Sequence, residues 1–103
     1  MKDIKFLGTS LEDIKSFNSR AKQAAGFELD RVQRGMEPSD WKPMTTVAPG
    51  VREIRIKQGA QFRIIYVANV GDYVYVLHAF QKKTQKTSKR DLALAKARLK
   101  LIE

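Results

Sequence analysis

Apolar residues recur along this chain with two different periods, and the change between them divides it near the middle. Ile4-Lys-Phe-Leu7 is a short apolar run, long enough for one strand and stopped at Gly8. Thr9 with Glu12, or Ser10 with Asp13, offers a capping box, and Leu11, Ile14 and Phe17 follow at helical spacing. This predicts a brief helix ending near Asn18. A second helix is expected from Asn18 or Ser19 to about Arg34, because Ala21, Ala25, Leu29, Val32 and Met36 repeat every three or four residues. Gly35 closes it, and Lys22, Arg31 and Arg34 fall on or near the opposite, solvated face. From Met36 to Pro49 the periodicity vanishes among three prolines, which reads as an ordered loop anchored by Trp41 at the edge of the core.

After Gly50 the period becomes two. Val51 to Lys57, Gln61 to Ala68 and Tyr73 to Lys82 read as strands joined at Gln58-Gly-Ala60 and near Gly71-Asp72, an antiparallel meander. These loop lengths place Arg55 opposite Arg63, Ile65 opposite His78 and Gln61 opposite Lys82. Unbroken alternation then gives one face Ile54, Ile56, Phe62, Ile64, Tyr66, Tyr75 and Leu77, to be covered by the two N-terminal helices. The other face receives Val67, Val74 and Val76 at one end and Arg55, Arg63, His78, Phe80 and Lys82 at the other. A last helix covers the valine end: Ser88 with Asp91 caps it, and Leu92, Ala95, Leu99 and Ile102 recur three or four apart. The cationic end stays open, in an α+β fold with helices on both sides of an antiparallel sheet.

Composition makes charge the outlier. The 103 residues fit one domain spanning 1–103, with 43% hydrophobic residues for a core. Lys and Arg number 20 against 11 Asp and Glu, a formal charge of +9 that predicts a polyanionic partner. With no cysteine there is no disulfide, thiol nucleophile or cysteine-held metal. No long apolar stretch suggests a signal peptide or membrane span, so a cytoplasmic location is expected. Walker A loops, dinucleotide glycine fingerprints, zinc spacings and nucleophile elbows are all missing from the sequence.

The candidate chemistry lies where the last strand runs into cations: five of the nine residues from Lys82 to Arg90 are Lys or Arg. Charge at the tip of a buried strand is held in position, whereas a solvating loop would leave it mobile. Two arginines facing each other across strands repel by up to about 1 kcal/mol, unless they fan into solvent, bind Glu53 or hold a phosphate between them. His78 is the one histidine, so a two-histidine acid and base pair is excluded, and it reads either as a hydrogen-bonded structural residue or as a proton carrier. Lys82 and Lys83 point to opposite faces, and a lysine among cations has its pKa pushed down toward usefulness as a base.

Trp41-Lys-Pro-Met44, Pro49-Gly-Val-Arg-Glu-Ile-Arg55, Phe62-Arg-Ile-Ile-Tyr66 and Val76-Leu-His-Ala-Phe-Gln-Lys-Lys-Thr-Gln-Lys-Thr87 together resemble the RelE/HigB superfamily toxins of bacterial type II toxin-antitoxin modules. The phage-derived branch is the most similar. The resemblance implies a RelE/ParE-like fold and a metal-independent endoribonuclease, needing no cofactor, that cuts mRNA at the ribosome. It also implies a helix-turn-helix antitoxin as partner in a heteromeric complex, the free toxin being monomeric. In such toxins a 2′-hydroxyl attacks the adjacent phosphate. Carried onto this chain, Arg63 holds that phosphate, with Arg55 on the preceding strand and Lys82 or Lys83 at the end of the last strand. His78 or a lysine would move the proton, since Thr84 to Ser88 lacks the tyrosine or histidine that many relatives place there. Arg52, Lys57, Lys86, Lys89 and Arg90 are the expected RNA contacts. Two alternatives stand beside this reading: a ParE-like gyrase inhibitor on the same scaffold, and a basic nucleic-acid-binding module without catalysis.

Overall fold

Alternating apolar residues in the second half of the chain build a sheet, and the helices divide between its two faces. The computed structural model describes residues 1–102. In chain order the elements are β1 (Asp3–Phe6), α1 (Ser10–Lys15), α2 (Ser19–Gln33), β2 (Trp41–Pro43), β3 (Val51–Lys57), β4 (Gln61–Val70), β5 (Tyr73–Lys82) and α3 (Lys89–Leu99). In space the strands lie β1-β5-β4-β3-β2. The expected meander is therefore the antiparallel centre, and β1 joins its far edge parallel to β5, making the sheet mixed. That parallel pairing is possible because α1 and α2 lie in the long crossover that such strands need.

The predicted register holds at the point that matters chemically: Arg55 faces Arg63, Ile65 faces His78 and Gln61 faces Lys82. Beyond His78 it departs from simple alternation. Ile65 pairs with His78 while its neighbour Tyr66 pairs with Val76, so Leu77 is an extra residue, a β-bulge. The bulge inverts the parity of everything before it in β5. Val74 and Val76 lie in the core beneath α1 and α2, whereas Leu77 is buried on the α3 side and Tyr75 packs partly buried there, opposite to the assignment made from unbroken alternation. Each buried valine or leucine contributes roughly 1.5–3 kcal/mol, so the sequence gains more by placing all four against core than by keeping a regular pleat.

The first core packs Ile14, Phe17, Ala21, Ala25, Leu29 and Val32 of the helical side onto Ile54, Ile64, Tyr66 and Val76. Asn18 caps α2 by accepting from the Ala21 amide, and Gly35 turns the chain at φ 81°. Met36, expected to extend that apolar face, lies past the helix end and is exposed. The capping box expected for α1 is not formed. Thr9 is the N-cap, but its hydroxyl donates to the Asp13 carboxylate, and buried Ser10 donates to the Val76 carbonyl instead.

The loop from Met36 to Pro49 contains a strand that the prolines conceal. β2 pairs Trp41 with Ile54 and Lys42 with Glu53, and Pro43 is tolerated because β2 is an edge strand whose outer side has no ladder to join. Buried Glu28 of α2 anchors the start of this loop by accepting from both the amide and the hydroxyl of Ser39 at 3.1 Å. On the opposite face α3, capped by Ser88 accepting from the Asp91 amide, places Ala95 and Leu99 over Ile65, Val67 and Leu77.

Arg98 of α3 ties this helix to the rest of the molecule. Its guanidinium donates to the Leu77 carbonyl at 3.0 Å and to the Thr9 hydroxyl at 3.3 Å, passing beside Gly8. A Cβ on Gly8 would lie 2.3 Å from Arg98 Nε, and φ there is +55°. Gly8→Ala should therefore cost about 2–3 kcal/mol in urea unfolding, from backbone strain and a displaced guanidinium together. Gly35→Ala also carries positive φ but meets nothing within 4 Å, and should cost only about 1 kcal/mol.

Candidate functional site

On the α3 side of the sheet, β3 and β4 place Glu53, Arg55 and Arg63 together, and the helix stops short of them. Glu53 is fully buried and Arg63 is 4% exposed, so the pair lies inside the sheet surface and not above it. Arg63 Nε stands 3.5 Å from Glu53 Oε1, an ion pair too long to be a hydrogen bond. The other two guanidinium nitrogens donate to the Phe62 carbonyl at 3.0 Å and to Gln61 Oε1 at 2.9 Å. Glu53 Oε2 accepts from Thr87, which ties the loop after β5 to the sheet. Three buried polar atoms lack a hydrogen-bond partner among the described residues, and all belong here: Glu53 Oε1, Arg55 Nε and Arg63 Nε. Burial pulls the Arg63 pKa down, Glu53 opposes that, and Arg55 adds to it.

Two lysines complete the cluster. Lys82, at the end of β5 opposite Gln61, has its pKa lowered by burial and then by the neighbouring Arg63, with Lys42 and Arg55 adding and Glu53 opposing. Lys42 does not stand out in the sequence, where the prolines make this segment read as loop; its pairing with Glu53 brings it to this face. Lys42, Arg55, Arg63 and Lys82 thus surround one buried carboxylate. The part of Glu53 was visible in the sequence only as one possible partner for the arginines.

His78 belongs to a different constellation. It is buried, stacked on Phe80 at 5.2 Å, with Nε2 2.7 Å from Asp91 Oδ1 and Nδ1 3.2 Å from Arg98. Arginine can only donate, so Nδ1 accepts and Nε2 carries the proton shared with Asp91. Both ring nitrogens are engaged in fastening α3 to β5, and the ring lies apart from the arginine pair. The sequence places His78 on this face but does not reveal its partners, because there Asp91 reads only as a cap residue.

The remaining predicted cations spread over several surfaces. Lys57 is exposed at the end of β3 on the Arg55 side. Lys83 borders a cleft of about 590 Å³ shared with Gln61, Lys82 and Gln85. Lys86 is exposed in the β5–α3 loop, and Lys89 and Arg90 occupy the first turn of α3. Cations at a helix N-terminus are disfavoured by the helix dipole, by about 0.3–1 kcal/mol, so packing gives no reason for them. Arg52 is placed elsewhere: it lies on the opposite sheet face, 4.0 Å over the Trp41 ring and 3.9 Å from Glu37. The alternation that turns Arg55 toward the cluster turns Arg52 away from it.

Residues 12–100 match the family model described as Phage derived protein Gp49-like (DUF891). The chain belongs to the Gp49-like family. This is a RelE-like toxin family, as the resemblance in the strand motifs implied. No curated protein matches the chain. Among solved structures, a chain of the toxin-antitoxin complex RelBE2 from Mycobacterium tuberculosis is similar at 19% identity and a TM-score of 0.51, over 79% of this chain and 98% of that one. The Gp49-like chain therefore has a RelE-like α+β fold, with its cationic cluster on the sheet face that α3 leaves uncovered. None of its described helices is long and apolar enough to cross a membrane.

Removing one member of the buried pair should be costly: Glu53→Gln is expected to lose about 3–5 kcal/mol in urea unfolding. In the double variant Glu53→Gln/Arg63→Gln the loss should fall well short of the sum of the single changes. Lys82 works in the opposite sense. Its folded-state pKa lies below the ordinary 10.5, so the charged lysine opposes folding at all pH values below that lowered pKa, and the penalty is relieved as pH rises through it. Lys82→Met should thus raise stability at pH 7 by up to ~0.5 kcal/mol, an advantage that shrinks toward pH 10 in parallel melts.

Proposed function

We propose that this Gp49-like protein is the toxin of a type II toxin-antitoxin module and acts as an mRNA endoribonuclease on the ribosome, restrained by an antitoxin made beside it. The observation that carries the reading is the convergence of Arg55, Arg63 and Lys82 around one buried carboxylate, with Arg55 and Lys82 partly exposed where α3 stops short of the sheet. A purely structural sheet gains nothing from facing arginines, whereas a phosphate at the surface beside the partly exposed Arg55 and Lys82 would be held by their charges, with the buried Arg63 guanidinium behind them. The similarity to RelBE2, a toxin-antitoxin complex, supports a protein partner.

In this reading the RNA supplies its own nucleophile. The 2′-hydroxyl attacks the adjacent phosphorus, the bond from phosphorus to the 5′ oxygen of the next nucleotide breaks, a lysine ammonium of the cluster gives that departing oxygen a proton, and a 2′,3′-cyclic phosphate and a 5′-hydroxyl result. The extra negative charge of the five-coordinate phosphorus is what preorganised cations stabilise. Lys82, with its lowered pKa, is the group best suited to take the 2′-hydroxyl proton once it has lost its own, and Arg55 and Arg63 hold the non-bridging oxygens. His78 acts only by holding α3 and β5 in register beside the site. Lys83, Lys57, Lys86, Lys89 and Arg90 contact phosphates of mRNA or ribosomal RNA, a salt-sensitive contribution. Arg52 has no part at this face.

The test is induction in bacteria with growth and new mRNA 5′ ends followed together. Arg63→Ala strands the Glu53 carboxylate and confounds activity with folding, so the partly exposed Arg55 is the better probe. Wild type should arrest growth and cut within translated frames, and Arg55→Ala should lower cutting by roughly 100-fold with its melting temperature little changed. Arrest without cuts would instead favour a gyrase poison, and neither arrest nor cuts from soluble protein would favour a binding module.

A further inference from the structure

We propose that the cleft between the β2–β3 loop and the β5–α3 loop receives one unpaired nucleobase of the RNA next to the cleaved phosphate. The proposal rests on the nuclease reading above and names the part of the substrate that gives it sequence preference. The cleft measures about 300 Å³, at the small end of the range for small-molecule sites. Pro43, Met44 and Leu92 give it an apolar lining, with Met44 6% exposed. Thr46 and Gln85 stand exposed at its rim, and a side-chain amide offers both a donor and an acceptor to a base edge.

Its position ties it to the phosphate cluster. Thr87 lines the cleft and donates to Glu53 Oε2 at 3.0 Å, while the other oxygen of the same carboxylate faces Arg63 Nε at 3.5 Å. Lys42, also in the lining, pairs with Glu53 across β2 and β3. A single carboxylate therefore separates this cleft from the guanidinium that would hold the phosphate. Gln85 borders both this cleft and the larger one containing Lys82 and Lys83. The charge pattern suits an anionic ligand with a flat apolar part, as a nucleotide is, and disfavours a basic or a wholly apolar one: no Asp or Glu lines either cleft, cations flank both, and apolar side chains line only the smaller one. A strand of RNA laid across the Gln85 divide would place its phosphate on the lysine side and a base against Met44 and Leu92, the combination by which single-stranded RNA is read.

Gln85→Ala removes the reading amide at an exposed loop position, and Met44→Trp fills the floor. Each is induced beside wild type, with mRNA 5′ ends mapped and base frequencies tabulated at every position flanking the cuts. Wild type should prefer particular bases at one flanking position, and both variants should flatten that preference, by up to about tenfold for Gln85→Ala. If Met44→Trp fails to fold in a melting assay, Gln85→Ala decides alone. Cuts with no base preference, or with a preference that Gln85→Ala leaves intact, would overturn the cleft's role while leaving the nuclease reading in place. An intact preference accompanied by weakened neutralisation by antitoxin would also overturn it and reassign the cleft to a protein partner. Growth arrest by wild type without any cuts removes the nuclease reading itself, and this proposal with it.

Discussion

A carboxylate buried in the middle of a cationic sheet face is the constraint on which the rest of this structure depends. Without Glu53, Arg63 would be a desolvated charge facing a second arginine, and the register of the central strands would hold two guanidinium groups together with no counter-charge between them. With it, β3 and β4 can carry facing arginines, β5 can end in Lys82, and β2 can bring Lys42 to the same surface. The compensation is incomplete by design of the geometry: one negative charge serves several cations, and the ion pair at 3.5 Å leaves donors on both arginines unpaired. The +9 of the chain is thus more than a diffuse attraction, because part of it is fixed on one sheet face around a single buried carboxylate.

The same strand that ends in this cluster is clamped a few residues earlier. At His78, Asp91 and Arg98 close a hydrogen-bonded network that also reaches Leu77 and Thr9, so α3 is fastened to β5 and to the start of α1. The bulge at Leu77 makes this possible by turning two consecutive residues, Leu77 and His78, toward the helix. One packs under Leu99 and the other meets the polar side of α3. With the helix held over the apolar end, the β5–α3 loop must span the cationic end, and the Thr87 bond to Glu53 sets where it lies.

What the sequence disclosed and what it concealed follow from how local the signals are. Helices α2 and α3 were legible because their periods and caps are contained in a dozen residues. The facing of Arg55 and Arg63 was legible because a short hairpin loop fixes register. The bulge was not, since its cause is tertiary: whether Val76 or Leu77 lies beneath α1 depends on partners far along the chain. β2 was hidden by Pro43, whose meaning changes once the strand is known to lie at an edge. At the site, residue types pointed correctly to Arg55, Arg63 and Lys82 as neighbours. They could not show that Arg63 is buried, that Arg52 faces away, or that His78 spends both nitrogens on α3.

An under-satisfied buried cluster is costly to a protein that does nothing with it. Each buried donor or acceptor left without a partner costs about 1–3 kcal/mol, and three such atoms meet here in a chain of 103 residues. Replacing the group with apolar side chains would remove that cost, as is often neutral or stabilising for buried ion pairs. Under the proposed function the cost has a counterpart. The buried pair holds positive charge fixed beneath the partly exposed Arg55 and Lys82, so a phosphate arriving there meets a field already in place and needs no reorganisation as charge grows on the five-coordinate phosphorus.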